Sequence, residues 1–134
     1  MRPAFIVLCV LTLAAVGPAQ ADEQTPIRLS CDGTAKTGGT SKPITKLQVD
    51  INLRAGEVSF EDYFARIMGR YDWIISFRPE PDDLKNRGGS LSGDIDRVTG
   101  AASAMTETEG LGSRRNEITI TNYDLVCKPV IRLF

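Results

Sequence analysis

The chain has 134 residues, a formal net charge of −1 at pH 7 and no histidine. This length suits one domain, and the nearly neutral charge argues against nucleic acid and against anionic membrane surfaces as partners. Without histidine, the sequence lacks a Ser-His-Asp or Cys-His relay, an H-E-x-x-H zinc motif and a histidine pH switch. We therefore expect no catalytic residue, no metal site and no cofactor.

The first 21 residues predict a secretory signal peptide, called the leader below. Arg2 supplies a positive charge, an uncharged apolar run follows over 4–16, and Ala19-Gln20-Ala21 offers small residues at a signal-peptidase site. The apolar run is too short to span a bilayer. We expect cleavage between Ala21 and Asp22 and a periplasmic or secreted location. The mature chain, 22–134, then keeps 113 of the 134 residues as a single β domain of net charge −2, because Arg2 is the leader's only charged residue.

Two cysteines remain after the leader, which carries Cys9. In an oxidising compartment, an isolated pair in a small domain most simply forms a disulfide, so we expect Cys31 to be bridged to Cys127. A redox-active or metal-binding pair is the alternative. It lacks C-x-x-C spacing and a histidine partner.

Alternating apolar and polar residues predict strands along the mature chain. A first clear case lies over 46–54, and it is followed by a turn at 54–57 and renewed alternation at Val58 and Phe60, which together indicate a hairpin. In the first and last strands the cysteines share a face with apolar residues: Ile27, Leu29 and Cys31, and Tyr123, Leu125 and Cys127. Both cysteines should therefore point inward, on strands that lie side by side or on facing sheets.

The middle of the chain is less regular. Residues 61–68 fit either one helical turn or a short strand, and 72–78 predicts a buried strand in which Trp73 packs in the core. Strands are also predicted at 91–96 and 101–106, separated by a turn at 99–100, and loops at 79–90 and 107–116. Ile118 and Ile120 are out of phase with Tyr123 and Leu125, which predicts a β-bulge or a kink near Thr121-Asn122.

Asp94 and Asp96 are the acid pair closest to a catalytic or Ca²⁺-binding pattern. The D-x-D-x-D-G spacing of a Ca²⁺ loop is missing, and both lie opposite the apolar face formed by Leu91 and Ile95. We expect a solvent-exposed strand face whose acids accept hydrogen bonds from the 98–100 turn and pair with Arg97, and no catalysis by either acid.

Two stretches carry a resemblance, Gly93-Asp94-Ile95-Asp96-Arg97-Val98-Thr99-Gly100 and Leu125-Val126-Cys127-Lys128-Pro129. They are similar to motifs in a group of small uncharacterised exported proteins of Gram-negative bacteria, which have a late G-x-I-D-R-x-T-G hairpin and an L-x-C-K-P ending. The resemblance implies a periplasmic or secreted β domain, and it brings no activity and no binding residues with it.

The expected fold is all-β, a small antiparallel barrel or sandwich of about six to eight strands stapled by one disulfide. We expect a non-enzymatic binding or interaction module whose partner is a protein or a small molecule. An inhibitor or envelope-assembly factor and a carboxylate-based hydrolase are the alternatives. No membrane span is expected once the leader is removed, since the positions in phase with Phe134 include Arg132 and Lys128, which would put charges on a lipid face.

Overall fold

The structure, a computed structural model, describes residues 26–79, 89–110 and 117–130. These residues form one closed barrel in which each strand runs antiparallel to the next and the last strand returns to the first. The strands are β1 (Ile27–Thr37), β2 (Thr40–Asn52), β3 (Glu57–Phe60), β4 (Tyr63–Arg70), β5 (Ile74–Arg78), β6 (Gly89–Asp96), β7 (Ala101–Glu109) and β8 (Ile118–Pro129). The all-β prediction is confirmed, and of its two architectures the barrel is the one found. The predicted cleavage site, Ala21 and Asp22, lies outside the described residues.

Alternation along the strands decides which side chains fill the barrel. In β2, Leu47, Val49 and Ile51 are buried while Gln48 between them is exposed. Because successive side chains of a strand point to opposite faces, the buried set fills the interior and the polar set meets solvent. The same alternation places Leu91 and the other inward residues of β6 in a single apolar core.

The β1–β2 hairpin is longer than the sequence pattern indicates. Thr37 pairs with Thr40, and the two residues between them, Gly38 and Gly39, have φ angles of 54° and 84°. A two-residue loop with positive φ at both positions matches the twist of an antiparallel pair, and glycine adopts that conformation without a Cβ clash. The hairpin therefore carries β1 to Thr37 and starts β2 at Thr40, ahead of the predicted start at Lys46.

The barrel closes where β1 meets β8. Cys31 and Cys127 are directly opposite each other in this strand pair, with their Cα atoms 4.0 Å apart, and their sulfurs form the predicted disulfide. Both side chains are buried, at 0% and 5% exposure. The bond thus lies inside the barrel and fastens the seam between the first and last strands.

Two sequence predictions about aromatic and apolar side chains are wrong. Trp73 lies in the β4–β5 turn rather than in a strand, and 60% of its surface is exposed, so it does not pack in the core. No bulge interrupts β8 at Thr121-Asn122, because its pairing with β7 is continuous from Ile118 to Val126. Ile118 and Ile120 are out of phase with Tyr123 because they face solvent.

The uncertain middle of the chain forms strands. Residues 63–70 make β4, so the alternative of a helical turn at 61–68 is excluded. The predicted loops at 79–90 and 107–116 lose residues to the neighbouring strands. β6 already begins at Gly89, and β7 continues to Glu109. The remaining parts of those two loops, 80–88 and 111–116, lie outside the described residues.

Removing the seam disulfide should destabilise the barrel strongly. The bond joins residues separated by 96 positions, and a loop of that size constrains the unfolded chain by on the order of 4 kcal/mol. We expect reduction, or the double change Cys31→Ala with Cys127→Ala, to lower the melting temperature by on the order of 15 °C. Intact mass with and without reductant, differing by about 2 Da, verifies the state of the bond. An unchanged melting temperature in fully reduced protein would contradict this assignment.

Candidate functional site

One end of the barrel holds a small apolar cavity. The β2–β3, β4–β5 and β6–β7 turns meet at this end, together with the start of β1 and the end of β8. The cavity has a volume of about 170 Å³. Its apolar lining comes from inward side chains of five strands, namely Ile27, Leu29, Ile51, Ile75, Ile95 and Cys127. We call this space the mouth cavity.

Four isoleucines give the mouth cavity a floor and a rim. Ile51, Ile75 and Ile95 are only 2–4% exposed and form the floor, whereas Ile27 is 38% exposed and stands at the rim. β-Branching restricts the χ1 rotation of an isoleucine side chain, which favours a lining that keeps its shape without a ligand. A preformed concave apolar surface of this kind is typical of small-molecule sites.

The β6–β7 turn supplies the polar side of the cavity. The Oδ1 atom of Asp96 accepts hydrogen bonds from the backbone N–H groups of Val98 and Thr99, each at 2.8 Å. Gly100 has a φ of 78°, and its carbonyl oxygen accepts a 2.8 Å bond from the Cys127 N–H. A side chain at Gly100 would collide with the Cys127 carbonyl, so glycine is required for the turn to lie against β8.

Arg97 connects this turn to the neighbouring β4–β5 turn. Its backbone N–H donates to the Trp73 carbonyl oxygen at 2.8 Å, and its Nη1 donates to the Tyr71 carbonyl oxygen at 3.2 Å. The Tyr71 N–H in turn donates to the Ile74 carbonyl oxygen at 2.9 Å. Both turns at the rim are therefore held by backbone hydrogen bonds, and Arg97, an exposed residue, is one of the residues that line the mouth cavity.

Two aromatic rings stand on the outer side of the same rim. The Tyr71 and Trp73 rings stack with centroids 5.8 Å apart and planes inclined by 21°, and both residues are more than half exposed. Gly69 leaves space for the tyrosine, since a Cβ there would lie 3.1 Å from Tyr71 Cε2. Adjacent exposed aromatic rings on a fixed turn are a feature of interaction surfaces.

The predicted acid pair lies on the outer wall, as expected from its phase. Asp94 and Asp96 are on the face opposite Leu91 and Ile95, which are buried. The hydrogen bonds from the Thr99 and Val98 amides lower the pKa of Asp96. The predicted bonds to the turn are thus confirmed for Asp96 but not for Asp94, and the predicted pairing with Arg97 is wrong, because that guanidinium is directed to the Tyr71 carbonyl instead.

The other end of the barrel interior is more polar. The hydroxyl groups of Thr37 and Thr121 are 2.7 Å apart, and the buried hydroxyl of Thr106 is hydrogen-bonded to Tyr123. Burial raises the pKa of Tyr63 and Tyr123, so both phenols stay neutral at neutral pH. Of the two ends of the barrel interior, the one that holds the mouth cavity is therefore the more apolar among the described residues.

No protein-family model, no curated protein and no solved structure matches the chain. The resemblance to small exported proteins therefore stays a prediction. Within 26–79, 89–110 and 117–130 no cluster of His, Cys, Asp or Glu side chains could hold a metal ion. The same stretches contain no helix that is long and apolar enough to cross a membrane.

The sequence patterns missed Tyr71, Trp73 and Arg97 as residues of the rim. A signal for the two aromatics is present in 69–73, where they alternate with charged residues directly after Gly69, an arrangement that suits an exposed turn as well as a strand end. No comparable signal marks Arg97, because its position depends on the carbonyl groups of a turn more than 20 residues earlier in the chain.

Replacing Asp96 by alanine should lower stability in a pH-dependent way. A carboxylate whose pKa is lower in the folded than in the unfolded protein stabilises the fold above its unfolded pKa of about 3.9, and this contribution is lost as pH falls through the folded pKa. We expect Asp96→Ala to reduce the free energy of unfolding at pH 7 and to differ less from wild type at about pH 3. Asp94→Ala, on the same strand face but away from the turn, is the matched control. Equal losses for Asp96→Ala at both pH values would contradict this role.

Proposed function

We propose that this protein is an exported, non-enzymatic binding module that holds one small apolar group of its ligand in the mouth cavity. The observation that carries the proposal is the cavity itself, about 170 Å³ in volume and lined by Ile27, Ile51, Ile75 and Ile95 at an end of the barrel. A cavity of about 150 Å³ lined by aliphatic side chains accommodates a benzene ring. The bound group is therefore the size of one ring or one branched side chain.

The electrostatics of the carboxylates favour binding over hydrolysis. A carboxylic acid that protonates a leaving group at neutral pH needs a raised pKa. Asp50 and Asp96 are shifted the other way, Asp50 mainly by its hydrogen bond from Arg28 and Asp96 by the turn amides. A carboxylate-based hydrolase therefore gains no support from either group, and the binding module remains the better proposal.

Export is supported by the disulfide and by the leader pattern. A disulfide at the barrel seam is compatible with an oxidising compartment. If the leader is removed at the expected site, N-terminal sequencing of protein recovered from the cell envelope or medium should begin at Asp22, and an Ala19→Arg, Ala21→Arg precursor should be processed poorly. Recovery of the intact precursor, with Met1 retained, from a correctly folded exported pool would contradict this part of the proposal.

A protein-binding role is the second candidate, and the aromatic pair favours it. Tyr71 and Trp73 are 56% and 60% exposed, and Met68 nearby in the chain is 67% exposed. Tryptophan and tyrosine are enriched among the residues that contribute most to protein interfaces. An inhibitor or envelope-assembly factor would use this outer surface, whereas a small-molecule binder would use the mouth cavity beside it.

Methyl NMR tests the binding proposal directly. Titration with cyclohexylmethanol, a neutral ring-bearing probe, should shift the δ1-methyl signals of Ile27, Ile51, Ile75 and Ile95 and leave Ile118 unchanged. We expect Ile27→Trp to fill the rim and to weaken probe binding by at least about tenfold, because one buried ring accounts for more than 1.4 kcal/mol of transfer free energy.

The matched control for this test is Ile118→Trp. It makes the same change at an exposed position at the other end of the barrel, and it should bind the probe as the wild type does. Melting curves of both variants check that each is folded. Unchanged signals of all four lining isoleucines at millimolar probe, or equal weakening in both tryptophan variants, would overturn the proposal.

A further inference from the structure

We infer that the ligand of the mouth cavity is a compact apolar monocarboxylic acid, whose ring or branched chain fills the cavity and whose carboxylate binds Arg97. This inference rests on the proposed function and adds the charge of the ligand. Among the residues that line the cavity, Asp96 and Arg97 are the charged ones, and every other lining residue is apolar or glycine. The sign of the ligand's charge thus depends on which of the two is available to it.

Arg97 is available to an anion. A guanidinium has five N–H donors, and within the described residues Arg97 uses one of them, its Nη1 bond to the Tyr71 carbonyl oxygen at 3.2 Å. It makes no ion pair among those residues, where Arg28 is paired with Asp50 and Lys36 with Asp124. The Nε and Nη2 groups are left for a carboxylate, which arginine binds through two parallel hydrogen bonds.

The Arg97 side chain is also held in place before any ligand binds. Its backbone N–H is fixed to the Trp73 carbonyl and its side chain to the Tyr71 carbonyl, so one residue is held at both ends across two turns. Holding a long side chain in one place removes part of the entropy that a ligand would otherwise have to pay on binding. A flexible surface arginine lacks this feature.

Asp96 is committed to the turn. The same Oδ1 atom accepts the amides of Val98 and Thr99, and the side chain belongs to the outer face of β6, opposite the inward Ile95. One carboxylate oxygen is therefore occupied by the turn amides, and the side chain starts from the outer face of β6 rather than from the face that carries the inward isoleucines. Toward a bound carboxylate it acts only as a weak repulsive charge, and this effect can be measured.

A series of probes with one ring and different charges tests the inference. The probes are cyclohexanecarboxylate, neutral cyclohexylmethanol, cyclohexylmethylammonium and zwitterionic cyclohexylglycine, each titrated against the isoleucine methyl signals at low salt. We expect the carboxylate to bind about five to ten times more tightly than the alcohol, and added salt to narrow this difference. The ammonium probe should bind less tightly than the alcohol.

Three variants assign the effect to residues. Arg97→Gln, which keeps an N–H donor for the Tyr71 carbonyl, should remove the preference for the acid, so that acid and alcohol bind this variant with affinities within about twofold of each other. Arg54→Gln is the matched control, because Arg54 is an exposed arginine in the β2–β3 turn at the same end and does not line the cavity. Asp96→Asn keeps the acceptor for the turn amides, and it should raise the ratio of carboxylate affinity to alcohol affinity by about twofold. If Arg97→Gln has a clearly lower melting temperature than the wild type, Arg97→Lys is the second variant. It keeps the positive charge and should retain part of the preference for the acid over the alcohol.

Each alternative result has a distinct meaning. If acid and alcohol bind equally, the proposed function stands and this inference is overturned. Tightest binding of the zwitterion, weakened by Asp96→Asn, would overturn it in favour of an amino acid that uses both charges. Tightest binding of the ammonium probe would overturn it in favour of a cation. If no probe shifts the four lining isoleucines, the proposed function fails together with the inference.

Discussion

Closure of the sheet between β1 and β8 is the constraint on which the rest of this structure depends. A curled sheet of eight strands has two edges, and only the pairing of Leu29–Thr37 with Thr121–Pro129 removes them. This contact joins the two ends of the described chain, so it has the largest loop-closure cost of all the strand pairs. The Cys31–Cys127 disulfide lies within that strand pair. By joining the two strands covalently, it offsets the loop-closure entropy of this same contact.

Closure also creates the mouth cavity. The start of β1 and the end of β8 bring Ile27 and Cys127 beside the floor residues Ile51, Ile75 and Ile95. In an open sheet these side chains would lie on one exposed face. In the closed barrel they surround a common axis, and the space that remains at the end is enclosed on its sides. The seam therefore contributes to stability and to the shape of the candidate site.

The sequence predicts the interior of this barrel well because alternation is a local property. The faces of β2 around Val49, of β6 around Ile95 and of β8 around Leu125 follow from the apolar pattern alone, and so do the inward cysteines. The long β1–β2 hairpin is harder to predict, since the outer part of β2 from Thr40 to Ile44 pairs, within the described stretches, with β1 alone and carries mostly exposed residues. An exposed strand has no apolar alternation to reveal it.

The candidate site could be predicted only in part. Its floor is predictable as core, but a pattern gives the face of a strand and not the depth of a residue along the barrel axis. Ile118 and Ile120 show a second limit of sequence patterns. Their one-residue shift relative to Tyr123 arises either from a bulge in the strand or from isoleucines that face solvent, and the pattern does not distinguish the two. The position of Trp73 is predicted wrongly for a related reason. Its β-branched neighbours favour a strand, but that strand begins one residue after Trp73, at Ile74.

The 93–100 stretch shows how the structural residues of a short motif can also shape a candidate site. Gly93 faces inward, and a Cβ there would lie 2.7 Å from the Phe77 ring. Asp96 organises the turn through two amides, and Gly100 lets it approach β8. These three residues explain the spacing of the motif without any ligand. Arg97 is different, since a neutral donor would also satisfy the Tyr71 carbonyl, and a guanidinium keeps further N–H donors beyond that one bond. The structural residues of the motif thus place one cation among the residues at the edge of an apolar cavity, and this combination is the basis of the proposal that the ligand is an amphipathic anion.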